Sequence, residues 1–73
     1  MQQITAEQCR AARGALKWSA KALASKADLS ANTVCTFEQG RAVRDSTPFR
    51  IQQVLEAAGI KFTPTGVELD KPT

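Results

Sequence analysis

The chain of 73 residues has no histidine, no tyrosine, two cysteines, one tryptophan and four glycines that never fall together. Each shortage excludes something. Without histidine, neither a Ser–His nor a Cys–His nucleophile can be assembled. Cys9 and Cys35 alone do not make a tetrahedral metal site, and two cysteines are too few for a disulfide framework, which points to a reducing compartment. Gly14, Gly40, Gly59 and Gly66 stand singly, so there is no glycine-rich phosphate loop. No apolar run approaches the roughly 20 residues that span a bilayer, and no apolar stretch of the export-signal kind follows Met1. The expectation is a soluble, cytoplasmic protein without a membrane partner. The acids Glu7, Glu38, Glu56 and Glu68 sit on separate elements, with no pair spaced for acid–base catalysis. No enzymatic activity, cofactor or metal is expected.

What is present is globular in kind: 42% apolar and 23% charged residues, within the usual range for folded soluble domains. The chain reads as one domain, 1–73, with a core worth only about 3–5 kcal/mol. Charge is unevenly placed. The first fifty residues carry eight bases against four acids, and the rest two against three. A basic front suggests a polyanionic partner for that part of the molecule.

Four helix starts can be read from their capping residues. Thr5 is followed three residues on by Gln8, a capping box, with Ile4 and Cys9 as staple partners. Ser19 caps a second helix, flanked by Trp18 and Leu23. Ser30 caps a third, flanked by Leu29 and Val34. Thr47 is the expected cap of a fourth, with Pro48 at its first position. Gly40 and Gly59 are suited to the left-handed residue that closes a helix. Asp28 fills the tight turn between the second and third helices, since aspartate tolerates positive φ better than most residues. Apolar residues recur at helical spacing: Ala6, Cys9, Ala12 and Leu16; Ala20, Leu23, Ala24 and Ala27; Val34 and Phe37; Ile51, Val54, Leu55 and Ala58.

Two charges interrupt those stripes. Arg13 falls among positions 9, 12 and 16, and Glu38 among 34 and 37. A lone buried charge is expensive and a hydrogen-bonded pair is the usual remedy. The expectation is that Arg13 meets Glu38 between the first and third helices; the alternative is that both run out to water.

After Gly59 the period changes. Ile60-Lys61-Phe62-Thr63 and Val67-Glu68-Leu69-Asp70 alternate around turn residues Thr63-Pro64-Thr65-Gly66. This reads as a β tail over 60–70, with the last three residues frayed. A lone two-stranded hairpin is marginal in water. Its apolar face, Ile60, Phe62, Val67 and Leu69, must therefore pack on the helices or on a second subunit, and these four are the expected dimerisation residues. Phe49 on the outer side of the fourth helix is the alternative surface.

The stretch WSAKALASKADLSANTVCTFEQGR, Trp18 to Arg41, has the logic of a helix-turn-helix: two short Ser-capped helices, a tight turn, and small Ala24 where the axes cross. It resembles the phage-repressor-like, XRE or Cro-type, family through Trp18-Ser19, Leu23-Ala24, Leu29-Ser30, Thr33-Val34, Phe37-Glu38 and Gly40-Arg41. ITAEQCRAARGALKWS before it and LEAAGIKF after it match as well. The resemblance covers nearly the whole chain. It implies a mainly α fold, a four-helix repressor-like helix-turn-helix core over 4–59 with a short C-terminal β hairpin or β tail. It further implies a homodimeric, sequence-specific DNA-binding regulator, a repressor that sets helix 30–39 in the major groove of a palindromic operator. An Arg–Glu pair at the positions of Arg13 and Glu38 also occurs in the family.

By that resemblance Ala31, Asn32, Thr33 and Thr36 occupy the base-reading positions. Asn32 can bond bidentately to adenine, and the threonines can bond base edges or pack methyls on thymine. Otherwise Ser30, Asn32 and Thr33 only satisfy the helix start. Phosphate candidates are Lys21, Arg41, Arg44 and Arg50, with the helix start at Ser19. Three residues depart from the family pattern: Ala20 stands where glutamine is usual, Asp28 where glycine is usual, and Ala31 where a polar residue is common. These departures keep a second reading open, a helix-turn-helix-fold interaction module, antiactivator or antitoxin-like, that no longer binds DNA.

Overall fold

The computed structural model describes residues 4–64 and 66–69. Along them run four helices, α1 (Ala6–Leu16), α2 (Ala20–Lys26), α3 (Ala31–Glu38) and α4 (Ser46–Ala57), and two strands, β1 (Ile60–Thr63) and β2 (Gly66–Leu69). The fold is mainly α with a short antiparallel hairpin at its end. The expected Thr65 turn position, Asp70 and the last three residues lie outside the described part.

Three of the four helices begin as the capping residues require. Thr5, Ser19 and Ser30 have extended backbones, and their side chains accept from the N–H of Gln8, Ala22 and Thr33. That is the geometry by which a hydroxyl satisfies one of the four orphan donors at a helix start. The fourth start differs. α4 begins at Ser46, Asp45 before it is already in the right-handed region, and no side chain caps it. Thr47, the expected cap, is buried inside the first turn, and its N–H bonds Arg44 O at 2.9 Å. A turn at Arg44–Thr47 takes up the free donor and starts the helix early. Pro48 still lies in the first turn, where a missing N–H costs nothing.

Every helix leaves through a left-handed residue: Lys17, Asp28, Gly40 and Gly59 all have positive φ. After α1, α2 and α3 the same pair of bonds forms. Lys17 N–H meets Gly14 O while Trp18 N–H reaches back to Arg13 O. Asp28 and Leu29 do the same to Ser25 and Ala24, and Gly40 and Arg41 to Phe37 and Thr36. This double closure satisfies the last carbonyls and turns the chain sharply. The repeated motif explains how three helices fit between residues 6 and 38. Lys17 was not foreseen in this role, because lysine pays a steric cost there that glycine does not.

The core is small and closely set. Leu23, Ile51, Leu55, Val34 and Cys9 are fully enclosed, with Ala12 and Ala24 letting helix backbones approach. Trp18 leans on its edge with Lys26 Nζ 5.0 Å above the ring, a cation–π contact that ties the start of α2 to its end.

In the hairpin Ile60 faces Leu69 and Phe62 faces Val67, while Lys61 faces Glu68 on the other side. Ile60 is buried, and Phe62, Val67 and Leu69 pack half-buried against the helical core. Part of the cover this apolar face requires therefore comes from the same chain, and Phe62, Val67 and Leu69 of the expected dimerisation residues keep part of their surface in water. Among the described residues Phe49 is the large apolar side chain left in water, 51% exposed.

Gln8 fastens the hairpin. Its Oε1 accepts from Thr5 N–H at 2.9 Å to complete the capping box, and its Nε2 donates to Thr63 O at 2.8 Å and Gly66 O at 3.2 Å. Gln8→Glu keeps the acceptor but sets a carboxylate oxygen against two carbonyls. The expected loss is about 1–3 kcal/mol in a denaturant melt, with hairpin amides exchanging faster while α3 amides hold. Unchanged hairpin protection would contradict this role.

Candidate nucleic-acid interface

α3 is positioned by what it buries. Val34 and Phe37 enter the core, and Glu38 is buried beside them, 7% exposed. Glu38 meets Arg13 in a two-pronged pair: Nε donates to Oε2 and Nη2 to Oε1, both at 2.8 Å. The expected Arg13–Glu38 contact is thus formed, and it is larger than foreseen. Arg13 Nη1 also donates to Trp18 O at 3.0 Å, Cys9 Sγ donates to Glu38 Oε2 at 3.2 Å, and Arg10 Nη1 donates to the Glu38 backbone carbonyl at 2.9 Å. Cys9, Arg10 and the Trp18 carbonyl were missed. The available signal was spacing, because Arg10 lies three residues before Arg13 on adjoining helical surface.

Electrostatics follow from this network. Burial alone pushes the Glu38 carboxyl upward. The hydrogen bonds from Arg13 and Cys9, with the charges of Arg13 and Arg10, outweigh it and hold the group below its ordinary 4.5. Burial, then the hydrogen bond to Glu38, pushes the Cys9 thiol far above its normal range. Cys9 is thus a neutral donor in the core rather than a reactive thiol.

The outward side of α3 opens on a groove of about 830 Å³. Its polar lining comes from Ser30, Asn32, Thr33 and Thr36 on one side and Arg44, Ser46 and Arg50 on the other, with Asp28 at the turn. Four elements meet there: the α2–α3 turn, α3, the loop before α4, and the first turns of α4. Asn32 is exposed and Thr33 and Thr36 are half-exposed. The Thr33 hydroxyl is engaged with Ser30 Oγ at 2.8 Å, and the Thr36 hydroxyl donates to Asn32 O at 2.8 Å. Arg50 Nη1 lies 3.8 Å from Asp28 Oδ2, and with Asp28 99% exposed the pair is weak and easily exchanged for another anion.

Five of the expected nucleic-acid residues therefore share one concavity: Asn32, Thr33, Thr36, Arg44 and Arg50. Four do not. Ala31 is half-buried and packs on the core, on the shoulder of α3 away from Thr33, so its methyl is not offered to the groove. On a helix turning about 100° per residue it lies beside Glu38 rather than beside Asn32. Lys21 and Arg41 are exposed outside the groove. The Ser19 hydroxyl is engaged in capping Ala22 N–H.

Among the described residues no group of three or more Cys, Asp or Glu side chains is placed to hold a metal ion, and no helix is long and apolar enough to cross a membrane. No protein-family model matches the chain, and no curated protein matches it.

The buried pair makes a signed prediction. A carboxyl whose folded pKa is depressed contributes stability that is complete above its unfolded pKa and fades as pH falls through the folded one. Glu38→Gln is therefore expected to lose about 2–3 kcal/mol at pH 7, and its deficit against wild type should shrink below about pH 4. Urea melts across that range test this, and a deficit unchanged at pH 2 would contradict it.

Proposed function

We propose that this protein is a sequence-specific DNA-binding transcriptional regulator, a homodimeric cytoplasmic repressor that sets α3 in the major groove of a palindromic operator. The observation that supports it best is the groove in front of α3. There an exposed amide and two threonines share an open groove with two arginines, beside the apolar Leu29, Ala42 and Val43, which suits a large anionic ligand that also offers apolar edges. In this reading Asn32 and Thr36 meet base edges, Thr33 flanks them, and Arg44 and Arg50 hold phosphates. Lys21, Arg41 and the start of α2 at Ser19 contact backbone on either side. Two copies related by a two-fold axis would read half-sites about 34 Å apart. The dimer contact then falls to the exposed Phe49 face of α4 better than to the hairpin, whose apolar side is already partly covered by the helices.

A second reading, the protein-interaction module without DNA binding, draws on Ala20 and on the Ala31 methyl turned to the core. Ala20 lowers the number of contacts available at the start of α2, and Ala31 the number at the start of α3.

Fluorescence anisotropy on labelled DNA from upstream of the protein's own gene, with scrambled DNA as competitor, separates the two. About four phosphates neutralised per subunit predicts a log–log salt slope near −7 for the dimer. Arg44→Ala should flatten that slope by about 2 for two copies, and Asn32→Ala should cost about 1–3 kcal/mol on the specific site. No binding at low salt would transfer the case to the interaction module.

A further inference from the structure

The hydrogen bonds of α3 restrict which bases it can distinguish. The Thr36 hydroxyl gives its proton to the Asn32 carbonyl at 2.8 Å, and the Thr33 hydroxyl is held by Ser30 Oγ at 2.8 Å. With its proton committed to the helix, the Thr36 hydroxyl keeps only acceptor lone pairs, and the Thr33 hydroxyl shares its hydrogen bond with the cap, so the γ-methyl is the group each threonine can set against a thymine. The α3 segment ANTVCTFE contains no arginine and no lysine, the side chains that bond guanine O6 and N7 bidentately. Its one acid, Glu38, is buried in the Arg13 pair and unable to accept from cytosine. What remains on the groove side is one free amide flanked by methyl groups. In the major groove an amide matches adenine N6 and N7, and a methyl matches the 5-methyl of thymine.

We infer that α3 reads an A·T-rich half-site core, in which Asn32 holds one adenine and the γ-methyls of Thr36 and Thr33 pack on the 5-methyl groups of neighbouring thymines. This rests on the DNA-binding reading above and adds the chemistry of the bases. Apolar methyl contact is strict about position, since one displaced methyl loses its whole contact. Specificity at those positions therefore comes from thymine's methyl rather than from its O4.

The test is selection of random duplex DNA by the full chain, followed by anisotropy on the enriched site with thymine replaced by uracil one position at a time. Uracil keeps every hydrogen-bonding edge and lacks only the methyl. The expected half-site has A·T pairs at its centre, and uracil at one central position weakens binding about fourfold, the worth of one buried methyl. Thr36→Ser, which keeps the hydroxyl and removes the methyl, should weaken binding to thymine DNA by a similar factor. In that variant uracil at the matching position should then add no further loss. A thermal melt confirms that the variant is folded. A centre rich in G·C, or full tolerance of uracil, overturns the inference while leaving the DNA-binding reading in place. Failure to enrich any sequence overturns both.

Discussion

Glu38 is a carboxylate held nearly out of water at the end of α3, and the side chains of Cys9 and Arg13 from α1 keep it charged there. A charge so placed is destabilising without partners and unforgiving about where they sit. Arg13 answers it with two parallel bonds, the arrangement in which guanidinium and carboxylate geometry match best. Because Arg13 Nη1 also holds the Trp18 carbonyl, one guanidinium joins the end of α1, the approach to α2 and the end of α3. The groove depends on this junction. α3 can present Asn32 and Thr36 outward only if its opposite side is fixed in angle and register against α1 and α2.

The same economy of contacts appears at the other end of the molecule. Gln8 caps α1 and clamps the hairpin with one side chain, so the short β tail is tied to the first helix rather than left to its own marginal stability. With its apolar side turned inward the tail completes the core, through Ile60 above all. The surface left unpartnered lies on α4 at Phe49, whose first turns also contribute Arg50 to the groove. A dimer contact at Phe49 would therefore fix the two grooves relative to each other through a single helix.

Most of this architecture was legible in the chain. Thr5, Ser19 and Ser30 mark helix starts because a hydroxyl accepting from an N–H three residues on is a local geometry, independent of the rest of the fold. Asp28, Gly40 and Gly59 mark turns for the same local reason. Arg13 and Glu38 betrayed each other because each breaks an apolar stripe. The start of α4 was misread because two local solutions compete there, a threonine cap and a turn at Arg44–Thr47, and burial of Thr47 decides between them. Lys17 carries no glycine-like signal, and the conformation is imposed by the Trp18 N–H closing on Arg13 O. The second task of Gln8 spans 55 residues of chain, beyond any spacing rule. At the groove, Ala31, Asn32, Thr33 and Thr36 were all placed outward by the family resemblance. Ala31 differs because a family position says nothing about which shoulder of this α3 meets the core.

A double-mutant cycle on the Arg13–Glu38 pair tests most directly whether that junction holds α3 in place. Arg13→Met and Glu38→Leu each leave one buried group without its partner, whereas the double variant replaces the pair with apolar side chains of similar size. Each single change is expected to lower folding stability sharply, the double change to recover much of the loss, and the coupling between the sites to be about 2 kcal/mol. Losses that simply add, with coupling below about 0.5 kcal/mol, would show that α3 is held by its apolar contacts alone and would contradict the central role given to the pair.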